Sequence, residues 1–556
     1  MNESRKIARP WRILGAALVL ASSGATASAQ VVYETQKWAP ADGATEDFFG
    51  YKVAIYGASA IVGAYKDDDS GIDAGSAYLY DPLTGSPLME LYASDGSPND
   101  RFGDGVAMNQ NYAIVGCPYD DDNGLQSGSA YVFDTATGVE LGKLLPLDGS
   151  ADENFGKRLA ISGTTVVCGL PSDNDNGSLS GSAYLFDAST GAQIAKLLPS
   201  DGASHDYFGI SVAIDGDLVI VGAFRDDDNG SSSGSAYLFD ATTGVHIAKI
   251  LPDDGDSIDE FGVSVGIRGT TVIVGAEGDE DGGGTNAGAA YLFDVSDPLM
   301  PVQFAKLLPD DGSPATLFGS HVAISDGHAV ISRQFDNSNV GSGGSAYVFD
   351  TITGGQLLKL LASDPAYNDQ LGNAVSIDGN GVLVGAVFDD DHGTDSGAAY
   401  YFRVFPGAPY CFGDGASLSC PCGNPGAPGE GCANGTGEGA HLDAIGSTSV
   451  AADFFTLQAS QLPPGPGLYF QGNNAINGGQ GTYFGDGLRC VGGSVIRLEV
   501  RFSSAGNSQT TIPIADKGGV SAGDLRRYQH WYRDTDSTPC GSGFNLTNGY
   551  ELTWTP

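Results

Sequence analysis

One phrase recurs seven times along this chain and limits the folds open to it more than any bulk property. It runs Phe-Gly, an apolar strand, Val-Gly-Ala, an Asp-rich loop, then Gly-Ser-Ala-Tyr-Leu-Phe-Asp. The Gly of the opening pair falls at Gly50, Gly103, Gly156, Gly209, Gly262, Gly319 and Gly372, at intervals of 53, 53, 53, 53, 57 and 53 residues. A fixed period near 50 specifies propeller blades or a solenoid.

The fourth copy shows what a period contains. Its apolar runs are short, rich in β-branched and aromatic residues, and separated by turn residues. Strand Ser211 to Ile214 meets Asp215-Gly216, a two-residue hairpin signal, and then Val219 to Val221. After an acidic loop comes Ala236 to Phe239; Thr243-Gly244 then turns the chain into Ile247 to Leu251, which Pro252 ends because proline donates to no ladder. Four antiparallel strands per unit describe a propeller blade rather than a solenoid coil. Copies one to six place a fourth-strand residue 13 positions before the next repeat Gly, at Glu90, Lys143, Lys196, Lys249, Lys306 and Lys359. Copy seven lacks this strand, and the segment Val31 to Trp38 has Lys37 in the same register 13 residues before Gly50. The N-terminal strand is therefore expected to complete the last blade and to remove two open strand edges.

Phe208-Gly209, Val221-Gly222-Ala223 and Gly234-Ser235-Ala236-Tyr237 resemble the FG-GAP repeat, known from the seven-bladed propeller of integrin α-subunits and from secreted bacterial proteins. The resemblance implies an extracellular recognition platform, in some members calcium-binding and in some joined to an enzyme. The integrin calcium loop lies between the FG and GAP segments. Here that connection is only Asp215-Gly216 or Ser162-Gly163, so the integrin metal site is not carried over.

Arg5, Lys6, Arg9 and Arg12 precede an apolar stretch from Ile13 to Ala21, and Ala27-Ser28-Ala29 offers a cleavage site before Gln30. This reads as a Sec-type signal peptide over residues 1–29, too short in its apolar part for the roughly 20 residues of a transmembrane anchor. Without it, 22 basic stand against 67 acidic residues, a net charge of -45. Such a surface opposes nucleic acids and anionic membranes and favours cations or basic partners.

In an up-and-down blade the two-three loops and the connections to the next blade share one face, and here those are the long acidic loops. The first loop position is Asp in every copy (Asp67, Asp120, Asp173, Asp226, Asp279, Asp336, Asp389). The third is Asp in six (Asp69, Asp122, Asp175, Asp228, Asp281, Asp391) and Ser338 in copy six. Alternating carboxylates before a Gly suit calcium, which takes several oxygens from a sharply turned loop; the other reading is an Asx turn in which Asp caps its own loop. The six Asp pairs that hold both positions are the candidate calcium ligands. Tyr78, Tyr131, Tyr184, Tyr237, Tyr291, Tyr347 and Tyr400 recur at one strand position and are expected to pack between blades. Cys117 and Cys168 replace small apolar repeat residues, so they are buried thiols or an inter-blade disulfide.

Composition changes after residue 406. Residues 407–556 hold six of the eight cysteines, Cys411, Cys420, Cys422, Cys432, Cys490 and Cys540, an even count that predicts disulfides in an oxidising compartment. The spacing of the first four fits no common zinc site. Strand-like runs such as 494–500 and 550–554 predict a β-sandwich. Tyr528, Trp531 and Tyr532 are either a sugar-stacking platform or aromatic core. Catalytic patterns are few: Gly230-Ser231-Ser232-Ser233-Gly234 has the letters of a nucleophile elbow but lies in a polar loop. Copy six departs from the others, with His321, His328 and Ile331-Ser332-Arg333 in place of Val-Gly-Ala. The whole predicts an all-β, monomeric, secreted or cell-surface binding protein for an extracellular protein or glycan. The alternatives are an extracellular polysaccharide-active enzyme and a structural envelope or matrix component.

Overall fold

The computed structural model describes residues 30–404 apart from 83, 282 and 339, and residues 407–554 apart from 415–417, 428, 446–449, 451–454, 505 and 535–539. The leader expectation lies outside these residues. Seven four-stranded meanders follow one another, and a second set of sheets forms the C-terminal domain. In the fourth blade the strands are Ser211–Asp215, Leu218–Ala223, Ser235–Asp240 and His246–Ile250, paired antiparallel in sequence order. The middle two are buried along almost their whole length because both faces of the sheet meet a neighbouring blade, so they read as continuous apolar runs.

The two glycines of the repeat mark where one blade's backbone touches the next. A β-carbon on Gly209 would overlap the Ser182 carbonyl oxygen, and one on Gly222 would overlap the oxygen of Gly262. Phe208 is fully buried, edge-on to Tyr237 and Phe239 at 5.4 and 5.8 Å. The Phe-Gly pair thus seats each blade on its predecessor.

The ring closes as the sequence predicts, with one difference. Gln36–Trp38 is the fourth strand of blade seven, with Lys37 opposite Tyr400 and Trp38 opposite Ala399. Trp38 stacks on Tyr80 of blade one at 4.9 Å and on Tyr401 of blade seven at 5.6 Å. The expected single strand is broken after Tyr33, and Gln30–Tyr33 adds instead as a parallel fifth strand to Gln356–Leu361 of blade six. Glu34, at the break, accepts from the Ser363 backbone and hydroxyl at 2.9 and 2.5 Å, which pins the crossing between the two blades.

In the C-terminal domain, strands Ala408–Tyr410, Gly549–Thr553, Leu525–Arg533, Pro466–Gly472 and Ile496–Phe502 form one sheet, and His441–Ile445, Thr456–Ser460 and Ser508–Gln509 another. Leu442, Leu457, Tyr469, Tyr528, Tyr532 and Trp554 share the core they cover. The six cysteines pair as Cys411–Cys490, Cys420–Cys432 and Cys422–Cys540. Cys117 and Cys168 are buried free thiols, and no inter-blade disulfide joins them. Tyr528 and Tyr532 are core, while Trp531 lies on the other side of the strand, so the three do not make one platform.

Candidate functional site

Antiparallel pairing of the third and fourth strands sets Tyr237 opposite Lys249, and this brings the lysine to the acidic loops. Lys249 Nζ lies 2.9 Å from Asp226, 2.6 Å from Asp228 and 2.9 Å from Asp201 of the preceding connection. It also lies over the Tyr237 ring, 5.0 Å from the centroid, and the Tyr237 hydroxyl donates to Asp226 at 2.6 Å. Asp226 is nearly inaccessible and completes an Asx turn by accepting from the Asp228 N–H at 3.1 Å. The same clamp recurs with Lys143 on Asp95, Asp120 and Asp122, with Lys196 on Asp148, Asp173 and Asp175, and with Lys306 on Asp254, Asp279 and Asp281. Lys37 clamps Asp364, Asp389 and Asp391 in blade seven. In these five blades an ammonium therefore sits among the carboxylates named as calcium ligands. The repeated tyrosines pack between blades as expected, and their hydroxyls additionally belong to the clamp.

Two blades depart, and their charges change together. In blade six Ser338 replaces the third carboxylate and accepts from Lys359 at 2.7 Å, while Arg333, 1% exposed, reaches Asp311 at 3.1 Å, the Tyr347 hydroxyl at 2.9 Å and Asp336 at 3.7 Å. One anion is lost where one cation is gained. In blade one Glu90 stands where the lysine would be. Ligand oxygens of Asp42, Asp69 and Glu90 lie within 4.8 Å of one another, and Asp67 occupies the buried first position. Glu90 Oε1 is buried without a hydrogen-bond partner among the described residues, and burial, with Asp67 and Asp42 nearby, raises its pKa.

Burial opposes ionisation of the clamp carboxylates, but hydrogen bonds from Lys359 and Ser345 with the Lys359 charge hold Asp336 at about 2, and Asp95, Asp148, Asp201, Asp254 and Asp364 also lie below the usual range. A second set behaves oppositely: burial, reinforced by neighbouring carboxylates, raises Asp47, Asp100, Asp259 and Asp369 to about 6. As pH falls from 7, the raised group takes up protons in the folded chain before the unfolded chain does, so stability increases down to about 4; below that the unfolded chain protonates first at the clamp positions and stability is lost. Melting temperature measured from pH 3 to 8 should peak between about 4 and 6. A flat profile from 5 to 8 would contradict these assignments.

Inside the acidic ring, the same face holds the mouth of the central channel. A cavity of about 430 Å3 there is lined by Lys52, Arg158, Phe224, Glu277, His321 and Gln334 among others. Beside it, Phe388, Phe48, Tyr65 and Tyr51 make a run of ring contacts with centroids 4.6 to 5.9 Å apart, and Lys52 of the lining lies over the Tyr51 ring. The opposite mouth is built from tight turns around Asn111, Gly163, Asp215 and Arg268. Of the residues singled out in copy six, His321 lines the cavity, Arg333 is a clamp member, and His328 lies at the opposite end of its blade near His441 and Asp443 of the C-terminal domain.

The FG-GAP repeat family matches residues 32–80, 88–133, 139–186, 192–239, 245–293, 301–349 and 355–402, and the chain belongs to that family. Each matched unit starts at or shortly before the fourth strand of one blade and ends in the third strand of the next, the offset that lets the N-terminal segment close the ring. No curated protein matches the chain. No helix among the described residues is long and apolar enough to cross a membrane.

Proposed function

We propose that the chain is an extracellular, non-enzymatic binding protein that engages a protein or glycan through the loop-bearing face of its propeller. The observation that carries this reading is the asymmetry of the two faces: one gathers every long acidic loop and the aromatic, charged mouth, and the other has tight turns. The three disulfides suit an oxidising compartment. The test is capture on glycan and extracellular-protein arrays by the mature chain and by two charge-reversed variants. Asp253→Lys with Asp310→Lys on the loop face should abolish capture, and Asp217→Lys with Thr164→Lys on the opposite face should leave it intact. Equal loss from both faces would reject the reading.

Calcium is proposed for blade one alone, held by Asp42, Asp67, Asp69 and Glu90. The sister blades support this restriction, because there a lysine already supplies the positive charge. A second reading, an enzyme acting on polysaccharide, is favoured by one observation: burial and the nearby Glu260 hold Glu277 at about 7 at the edge of the cavity that also holds His321 and Arg158. Release of reducing ends from a captured polysaccharide, lost in Glu277→Gln, would decide for it.

A further inference from the structure

Basic residues are scarce in this propeller, and their placement is informative. Of fifteen between residues 30 and 406, six lysines and Arg333 belong to clamps, and Arg268 and Arg403 lie toward the opposite face. The remaining six, Lys52, Lys66, Arg101, Lys157, Arg158 and Arg225, gather at or beside the mouth of the channel. None of them is ion-paired among the described residues. Lys66 lies over Phe48, Arg101 and Lys157 over Tyr119, and Arg225 over Phe224, at 4.3 to 5.0 Å from the ring centroids. All six are at least partly open to solvent.

The repeat itself separates scaffold from site. The second residue after each repeat Gly lies on the innermost strand, and in the seven copies it is Lys52, Gly105, Arg158, Ser211, Ser264, His321 and Ala374, all but Gly105 among the residues that line the cavity. Positions that build the blade are nearly invariant among the copies, whereas this one varies freely and carries cations in two of them. Polar atoms around it are unsatisfied. His321 Nδ1 is buried with no hydrogen-bond partner among the described residues, and so is Oδ1 of Asp104, which is 3% exposed behind the four cations Lys52, Arg101, Lys157 and Arg158. Gln334 adds an amide to the lining.

We propose that this mouth binds the acidic end residue of a glycan, a hexuronate whose carboxylate meets Lys52 and Arg158 and whose ring lies against the Tyr51 and Tyr65 side of the aromatic arc. Unpaired cations call for an anion, and Lys52, whose pKa burial and then Arg158 lower to about 7, gains full charge beside one. The surrounding ring of aspartates repels an extended polyanion such as a nucleic acid or a heavily sulfated chain, so the negative group must be compact and enter end-on. Aromatic faces beside amide and imidazole groups suit a polyhydroxylated ring, and the cavity is within the size range of small-ligand sites. The proposal rests on the loop face being the binding face and adds the chemistry it selects.

Calorimetry on the full mature chain tests it, with a trimer of two galactose residues ending in a single galacturonate as probe and three comparators: its methyl ester, a neutral galactose trimer and an acetylated glycine tripeptide acid. The trimer should bind in a salt-sensitive manner, and Arg158→Gln and Lys52→Gln should each weaken it about tenfold or more, while Arg268→Gln on the opposite face leaves it unchanged. Melting curves establish that each variant is folded, and either mouth variant suffices. Equal binding by the ester or the neutral trimer, an unchanged affinity in a folded mouth variant, or no saturable binding at about 10 mM would overturn the proposal. Tighter binding of the tripeptide acid would assign the mouth to peptide carboxylates and overturn it as well. In each of these cases the loop-face reading still stands or falls by the charge-reversal variants alone.

Discussion

A chain lacking residues 30–38 should aggregate or melt far below the intact protein, because that segment holds the ends of the ring together. Its removal exposes the free edge of Ala398–Arg403 in blade seven and the edge of Gln356–Leu361 in blade six, and unpaired edges template intermolecular pairing. Single substitutions should report the same joint in a folded protein. Trp38 is 2% exposed between Tyr80 and Tyr401, so Trp38→Ala should cost about 3–5 kcal/mol. Size-exclusion chromatography with light scattering and thermal melting check both expectations. Unchanged stability after the deletion would mean that blades one and seven hold together without the strand.

Replacing one clamp lysine should be the next most damaging change. In Lys249→Met the exposed carboxylates of Asp201 and Asp228 relax into solvent, but Asp226 stays buried with a charge and only Tyr237 and backbone donors to meet it. Breaking a buried pair from one side costs about 3–5 kcal/mol, and partial solvent access around Lys249 places this case near the lower end. Glu90→Lys is the complementary experiment, since it rebuilds the clamp on Asp42, Asp67 and Asp69 and should raise the melting temperature. Denaturant unfolding of the two variants should show shifts of opposite sign. A destabilised Glu90→Lys would show that blade one is not a clamp lacking its cation.

The period together with the four strands inside it made the architecture legible, because each blade must repeat the same meander at the same spacing. Closure was legible because Lys37 keeps the register to Gly50 that its counterparts keep in the other blades. The parallel strand Gln30–Tyr33 was not, since parallel pairing needs no turn and leaves no local signal. The clamp was hidden by distance along the chain: Lys249 and Asp201 are 48 residues apart, and only the antiparallel return of the fourth strand brings them together. Glu90 stands among lysines in the sequence, but its meaning emerged only when the structure placed that position beside the acidic loops. The mouth was missed because comparing copies rewards constancy, whereas Lys52, Arg158 and His321 occupy the position that varies. In the C-terminal domain the strand alternation that separates Trp531 from Tyr528 and Tyr532 depends on which face is covered, and six cysteines do not disclose their pairing.

The central claim is that the chain supplies its own counter-cations on the loop face, with blade one excepted. Calcium binding to the mature chain, measured by equilibrium dialysis at fixed ionic strength, tests it most directly. The expected result is one ion per chain, lost in Glu90→Lys and retained in Asp226→Asn. Binding of several ions per chain with loss in Asp226→Asn, or persistence of the ion in Glu90→Lys, would contradict it.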